Sequence, residues 1–211
     1  IYDFGDILQT TSGAAITFAI QNLGTADLIL GTPKVTVGGT HASDFSLTDT
    51  TQNPIPLGGN TTFTLTFTPP TVGLRTATVT IASNDSDEGN YTIALQGMGT
   101  YSKIQAETAD TAVAIANGGV YNFGDALVGS RASPVTLLLE NQGTGMLLLT
   151  GNPLITIIEG DQFDFGIDTT ATSNGIAMNS NTRFTANFMP AIAGPRRAVV
   201  KIANNDLTQS S

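Results

Sequence analysis

Apolar and polar residues alternate along long stretches of this chain. Ile16, Phe18 and Ile20 alternate with Thr17 and Ala19, Phe63, Leu65 and Phe67 with Thr64 and Thr66, and Ala77, Val79 and Ile81 with Thr78 and Thr80. A period of two sends successive side chains to opposite faces, so each run predicts a half-buried β-strand with threonine on its outer face. The pattern returns at Val135, Leu137 and Leu139, at Phe184, Ala186 and Phe188, and at Ala198, Val200 and Ile202. The predicted core is therefore Phe18, Phe63, Phe67, Val79 and Ile81 in the first half, and Leu137, Phe184, Phe188, Val200 and Ile202 in the second. Gly-, Pro- and Asn-rich turns such as "NLGTAD", "NPIPLGGN" and "SNDSDEGN" separate the runs. No stretch has convincing helical periodicity. The nearest, "AETADTAVAIAN", reads as a linker entering a strand.

The chain also repeats itself. Phe4 and Phe123, Asn22 and Asn141, Gly24 and Gly143, and Leu28 and Leu147 stand 119 residues apart, whereas Phe63 and Phe184, Phe67 and Phe188, Pro69 and Pro190, and Gly73 and Gly194 stand 121 apart. Two residues have thus entered the loop-rich middle of the second copy. A period this long marks a duplicated domain and not a solenoid unit. Short strands between frequent turns predict an all-β fold of two tandem immunoglobulin-like β-sandwiches, residues 1–100 and 101–211, joined near Thr100–Ala106. "AVAIANGG" precedes the phrase NFGD of copy two, while only Ile1 and Tyr2 precede DFGD of copy one. Conversely, "YTIALQGMG" follows copy one, and copy two ends at "NNDLTQSS". The first copy is accordingly expected to lack its first strand and the second its last, the gaps being filled from a longer chain or by strand addition from a neighbour.

Composition narrows the functional classes. Eight Lys and Arg against seventeen Asp and Glu give a net charge of −9, which repels nucleic acid and anionic lipid. No Cys is present, which removes disulfides, thiolate metal sites and cysteine nucleophiles. No apolar run approaches the length of a membrane-spanning helix.

Several short phrases recur in order. In F-x-P-x-x-x-G, at Phe67–Gly73 and Phe188–Gly194, proline ends a strand and glycine frees the backbone to enter the next. In N-x-G, asparagine closes a turn on its own backbone. The order [DN]FG, N-x-G, DF, F-x-P-x-x-x-G and [SN]ND, with "YTIALQGMG" closing copy one, resembles the ASPM–SPD-2–Hydin (ASH) domain, more narrowly the bacterial choice-of-anchor D type. Copy two departs at Asn122, which stands where Asp3 does, and its "EGDQFDFG" leaves open whether Phe163 or Phe165 matches Phe45. The resemblance implies exported, repetitive bacterial surface proteins with an extracellular or cell-surface location, and no catalysis.

Three groups of residues offer chemistry. The DFG at Asp3–Gly5 matches a kinase magnesium signature, but the repeat replaces its aspartate by Asn122, which a magnesium ligand would not tolerate. The loop "SNDSDEGN" offers Asn84, Asp85, Asp87 and Glu88 to Ca2+; counted from Asp85, Gly89 arrives one place early for an EF-type loop. A solvated acidic hairpin is expected, with Ca2+ as the alternative and no other cofactor. His41, the only histidine, lies beside Ser43 and Asp44, yet no nucleophile motif accompanies it, and it reads as a surface-loop residue whose removal costs nothing. The four Glu residues, at 88, 107, 140 and 159, form no motif for glycoside chemistry. These readings converge on a non-catalytic structural or adhesive module, a tandem spacer or a fibre subunit joined by strand addition to other protein subunits. The alternative is a carbohydrate-binding accessory region of a longer secreted enzyme, for which glycans would be the partners.

Overall fold

The computed structural model describes residues 1–208. It is all β: helix is confined, among the described residues, to the 3-10 turns Ala42–Asp44 and Gln162–Asp164. The chain divides into two compact units, Ile1–Thr100 and Tyr101–Ser211.

The first unit contains β1 (Tyr2–Leu8), β2 (Ile16–Gln21), β3 (Leu30–Gly38), β4 (Phe45–Asp49), β5 (Asn60–Phe67), β6 (Gly73–Ser83) and β7 (Asn90–Thr100). They form a four-stranded sheet, β1-β7-β6-β3, and a three-stranded sheet, β2-β5-β4. All pairings are antiparallel except β1 with β7, which is parallel. One core lies between the sheets. Phe63, Leu65 and Phe67 of β5 and Val79 of β6 are essentially inaccessible, and Leu95 of β7 joins them. Removing such side chains from water contributes about 1.5–3 kcal/mol each. Aromatic pairs add shape: Phe45 stacks on Phe67 with centroids 4.8 Å apart, and Phe4 meets Phe45 edge-on at 5.4 Å. Phe18 is only half-buried, packed against this core and stacked on Phe63.

The second unit contains β8 (Ile104–Thr108), β9 (Ala114–Ile115), β10 (Val135–Asn141), β11 (Leu147–Leu148), β12 (Thr156–Gly160), β13 (Phe165–Asp168), β14 (Gly175–Ile176), β15 (Asn181–Phe188) and β16 (Ala198–Lys201). Its main sheet runs β13-β15-β10-β8-β9, beside the small pairs β11-β14 and β12-β16. The β13-β15-β10 portion reproduces β4-β5-β2: Phe165 pairs with Phe188 as Phe45 pairs with Phe67, and Leu137 with Phe184 as Phe18 with Phe63. The two inserted residues can now be located. Leu149 matches Leu30 and Pro153 matches Pro33, so one lies between them; the other lies between Phe165 and Ile176, the partners of Phe45 and Ile55.

Two expectations need correction. Residues 104–108 are not linker but β8, which pairs along β10 from Asn141↔Ile104 to Leu137↔Thr108. In the first copy the DFG phrase lies in β1 (Tyr2–Leu8), and among the described residues no strand lies along the edge of β2 as β8 lies along β10. Val200 is not core. It is 39% exposed, whereas its equivalent Val79 is 0% exposed, because no described strand lies along the second edge of β16 as β7 lies along β6. For the same reason the Tyr121–Val128 stretch, equivalent to β1, carries no strand.

Candidate functional site

The recurring phrases of the sequence resolve into bonds. Asp3 Oδ1 accepts the Gly5 N–H at 2.8 Å and Asn122 Oδ1 accepts the Gly124 N–H at 2.9 Å, closing the same turn over glycines at φ +72° and +74°. An amide oxygen performs this as well as a carboxylate does, which explains the exchange. Asp3 also accepts from Gln96 Nε2 at 2.8 Å. The Gln96 bond first, then the Gly5 amide, hold its carboxyl below the ordinary range.

Asn22 and Asn141 form a second recurring device whose reach the sequence did not disclose. Each is buried, and each Nδ2 donates to two carbonyls: Ala26 and Ile55 in the first unit at 2.7 and 2.9 Å, Gly145 and Ile176 in the second at 2.7 and 2.9 Å. Each Oδ1 accepts from the glycine two residues on, at 3.0 and 2.9 Å. The side chain thus ties its own turn to a segment more than 30 residues away. Its signal in the sequence is the repeated N-x-G.

His41 sits in a third device. Its Nδ1 accepts the Thr76 N–H at 2.9 Å while its own N–H donates to Thr76 O at 3.1 Å. In the second unit Asp161 does the same work: its Oδ2 accepts the Arg197 N–H at 2.8 Å and its N–H donates to Arg197 O at 2.6 Å. His41 is therefore a bracket on the start of β6, not an idle loop residue. Ser43 donates to Asp44 at 3.3 Å, and Asp44 is engaged by Arg75 at 2.6 Å, so no serine–histidine bond forms. Asp164 repeats Asp44, paired with Arg196, which also reaches Asp161 at 3.0 Å. The Arg196 bond holds the Asp164 carboxyl below its ordinary range, against burial and with help from the Ala191 amide.

Two of the four calcium candidates, Asn84 and Asp85, hold backbone amides of the fold. Asn84 Oδ1 accepts the Ile29 N–H at 2.8 Å, as Asn205 Oδ1 accepts the Leu148 N–H at 2.8 Å. Asp85 Oδ1 accepts the amides of Asp87 and Glu88 at 3.2 and 3.3 Å; the Asp87 side chain and these amides keep its carboxyl low. Among the described residues no three His, Cys, Asp or Glu side chains gather as a metal site. Surface hollows of about 300 Å3 beside Thr108–Ala116 and about 310 Å3 beside Asp168 and Arg183 hold no paired acid and base. The feature that remains is a surface. Val200 and Val199 of β16 are exposed, and among the described residues β12 is the one strand paired with β16.

A family model described as "Protein of unknown function (DUF1573)" matches residues 1–98, the first unit. No curated protein matches the chain. Among solved structures, the chain is similar to a protein of unknown function from Porphyromonas gingivalis W83, at 14% identity and TM-score 0.33, covering 97% of this chain and 89% of that one. It is also similar to the secreted serine protease VesC from Vibrio cholerae, at 12% identity and TM-score 0.38, covering 94% of this chain and 48% of that one. Similarities of this size establish neither a shared fold nor a shared activity. No helix among the described residues is long and apolar enough to cross a membrane.

Proposed function

We propose that this chain is a non-catalytic structural or adhesive module of an exported bacterial surface protein, built of ASH-like immunoglobulin-type β-sandwich repeats. It acts as a tandem spacer or as a fibre subunit joined to other protein subunits by strand addition, at the cell surface or outside it. The observation that carries this reading is the fate of the recurring phrases. Asp3, Asn22 and Asn84 of these phrases, and their counterparts Asn122, Asn141 and Asn205, each hold a turn or a strand, and each pair makes the same bond in both units. An enzyme would be expected to spend at least one such group on a substrate. Strand addition needs an exposed edge with an apolar face, and β16 has one.

Sedimentation of the purified chain over a range of concentrations tests the fibre arm. End-to-end self-association supports it, and a monodisperse particle of 21.8 kDa defeats it. The carbohydrate-binding alternative has one observation in its favour, the wholly exposed ring of Phe163. Glycan-array binding that is lost in Phe163→Ala would favour that alternative.

A further inference from the structure

One end of the second unit carries apolar side chains where the same end of the first carries hydroxyls. The loop after β15, Met189–Pro195, reads MPAIAGP and has no polar side chain; its counterpart in the first unit, Thr68–Leu74, reads TPPTVGL. Beside it, in the 3-10 turn Gln162–Asp164, Phe163 stands where the first unit has Ser43. Phe163 is wholly exposed, and Ile192 and Met189 are 59% and 45% exposed. Ser43 and Thr71, the counterparts of Phe163 and Ile192, are exposed in the first unit with β7 in place. The exposure therefore belongs to these loops and does not depend on a strand beside them. A run of exposed apolar residues costs solubility, and it marks a surface that meets something.

The two loops are tied to each other. Met189 N–H donates to Asp164 O at 2.8 Å and Ala191 N–H to Asp164 Oδ1 at 3.1 Å, and Pro190 O accepts from Gly129 at 2.8 Å. Arg196 engages Asp161 and Asp164, so the carboxylates nearest the tip are already paired. Arg197 and Arg131, the latter next to the Ala132 whose N–H donates to Phe188 O, are exposed and form no ion pair among the described residues. We propose that this end of the second unit docks peripherally on a zwitterionic phospholipid surface. Phe163, Met189 and Ile192 enter the boundary between headgroups and acyl chains, and Arg131 and Arg197 donate to headgroup phosphates. Lipid is favoured over a protein partner because a ring as bare as Phe163 has no wall around it: a protein would have to bring a pocket for each side chain, and a fluid acyl layer needs none. The backbone agrees. Hydrocarbon penalises unpaired amides, and the loop has none at Met189, Pro190, Ala191 and Pro195, while at the shallow depth proposed Ile192–Gly194 keep their water. The net charge of −9 opposes a strongly anionic surface, which leaves the zwitterionic one.

This docking does not depend on whether the chain forms fibres. The test titrates the full chain with phosphatidylcholine vesicles and reads binding by co-sedimentation. The chain has no Trp, so Phe163→Trp places a single reporter at the tip. Its emission should shift to the blue on binding and be quenched by phosphatidylcholine brominated on its acyl chains. Phe163→Ser, Met189→Thr and Ile192→Thr install the residues that the same backbone carries in the first unit, so the fold accepts them, and each should weaken partition about tenfold. Arg131→Gln with Arg197→Gln should weaken binding less and leave the depth of the reporter unchanged. No binding, binding that survives the triple replacement, or a reporter that stays in water while the chain is bound overturns the proposal. So does self-association or glycan binding that the triple replacement abolishes in a chain that ignores vesicles, which would assign the tip to a protein or a sugar.

Discussion

The two units share their turn-holding asparagine and aspartate bonds and differ in how much of each is covered. In the first, β7 lies between β1 and β6 and seals Val79 at 0% exposure; in the second, β16 is four residues long where β6 has eleven, and Val200 is 39% exposed. The equivalent side chain packs or does not pack according to one neighbouring strand. Side-chain pattern sets which way a residue points, and pairing sets whether pointing inward also means burial. On its other sheet the second unit gains what the first does not have, since β8 covers the edge of β10 whose equivalent on β2 is free.

The largest test of this contrast is in the aromatic cores. Phe67→Ala should cost about 3–5 kcal/mol, the transfer loss plus the cavity it leaves. Phe188→Ala should cost measurably less, because Phe188 is 8% exposed where Phe67 is 0%, and among the described residues no strand covers it as β7 covers Phe67. Denaturant unfolding of each variant, read at its own unit's transition, checks this. Equal losses would mean that Phe188 is as fully covered in solution as Phe67.

The asparagine clamps should show no such contrast. Asn22→Ala and Asn141→Ala each remove one donor from two carbonyls and the acceptor of a glycine amide, although Ile55 O keeps the Leu28 N–H, at a cost of about 1–3 kcal/mol. If the two losses differ by more than about 1 kcal/mol, the units are not equivalent at this device.

Acid should weaken both units, through Asp3, Asp49 and Asp85 in the first and through Asp164 and Asp168 in the second. Because the folded-state pKa of Asp164 is lowered, its contribution to stability is fully present above the ordinary carboxylate pKa of about 3.9 and is lost as pH falls through the lower folded value. Asp164→Asn should therefore destabilise the second unit near neutral pH while flattening its pH dependence below about pH 4. Thermal melts of both proteins between neutral pH and that range give the comparison. An unchanged acid limb would remove Asp164 from the account. His41→Ala should cost the first unit about 1 kcal/mol, through the lost acceptor for the Thr76 amide, with no counterpart loss in the second.

Much of this architecture was legible because periodicity and repetition are written in side chains. Phe63, Phe67, Phe184 and the turn asparagines announce themselves by spacing. β8 does so only faintly: Ile104 and Ala106 alternate with Gln105 and Glu107, but the run is short and ends on Thr108, and this strand forms by pairing along β10. The second half of copy two misled for the opposite reason, since Ala198, Val200 and Ile202 keep a perfect alternation that no strand covers on the outer side. The role of His41 was hidden by chemistry. Its partner in the repeat is Asp161, a residue of another type that offers the same acceptor to the same amide. Comparison of residue types finds substitutions of this kind only after the backbone has shown which group each side chain serves.

The smallest expected effect lies at a turn where the units agree in backbone and differ in side chain. Thr10 has φ +63°, and its equivalent Gly129 has φ +76°. Both N–H groups donate to the proline two residues after the strand-ending phenylalanine, so the turn itself is the same. A β-branched residue in the left-handed region costs about 1–2 kcal/mol. Glycine removes that strain but enlarges the unfolded ensemble by about 0.4–1 kcal/mol. The Thr10 side chain is exposed and its backbone bond is unaffected by the change, so the strain term wins. Thr10→Gly should raise the stability of the first unit by less than about 1 kcal/mol, and Gly129→Thr should lower that of the second by a similar amount. The two changes run the same terms in opposite directions, and the place a Cβ would take at Gly129 is open, so strain and unfolded-state entropy alone decide both. A destabilised Thr10→Gly protein would show that the threonine hydroxyl makes a contact in solution that outweighs its strained backbone.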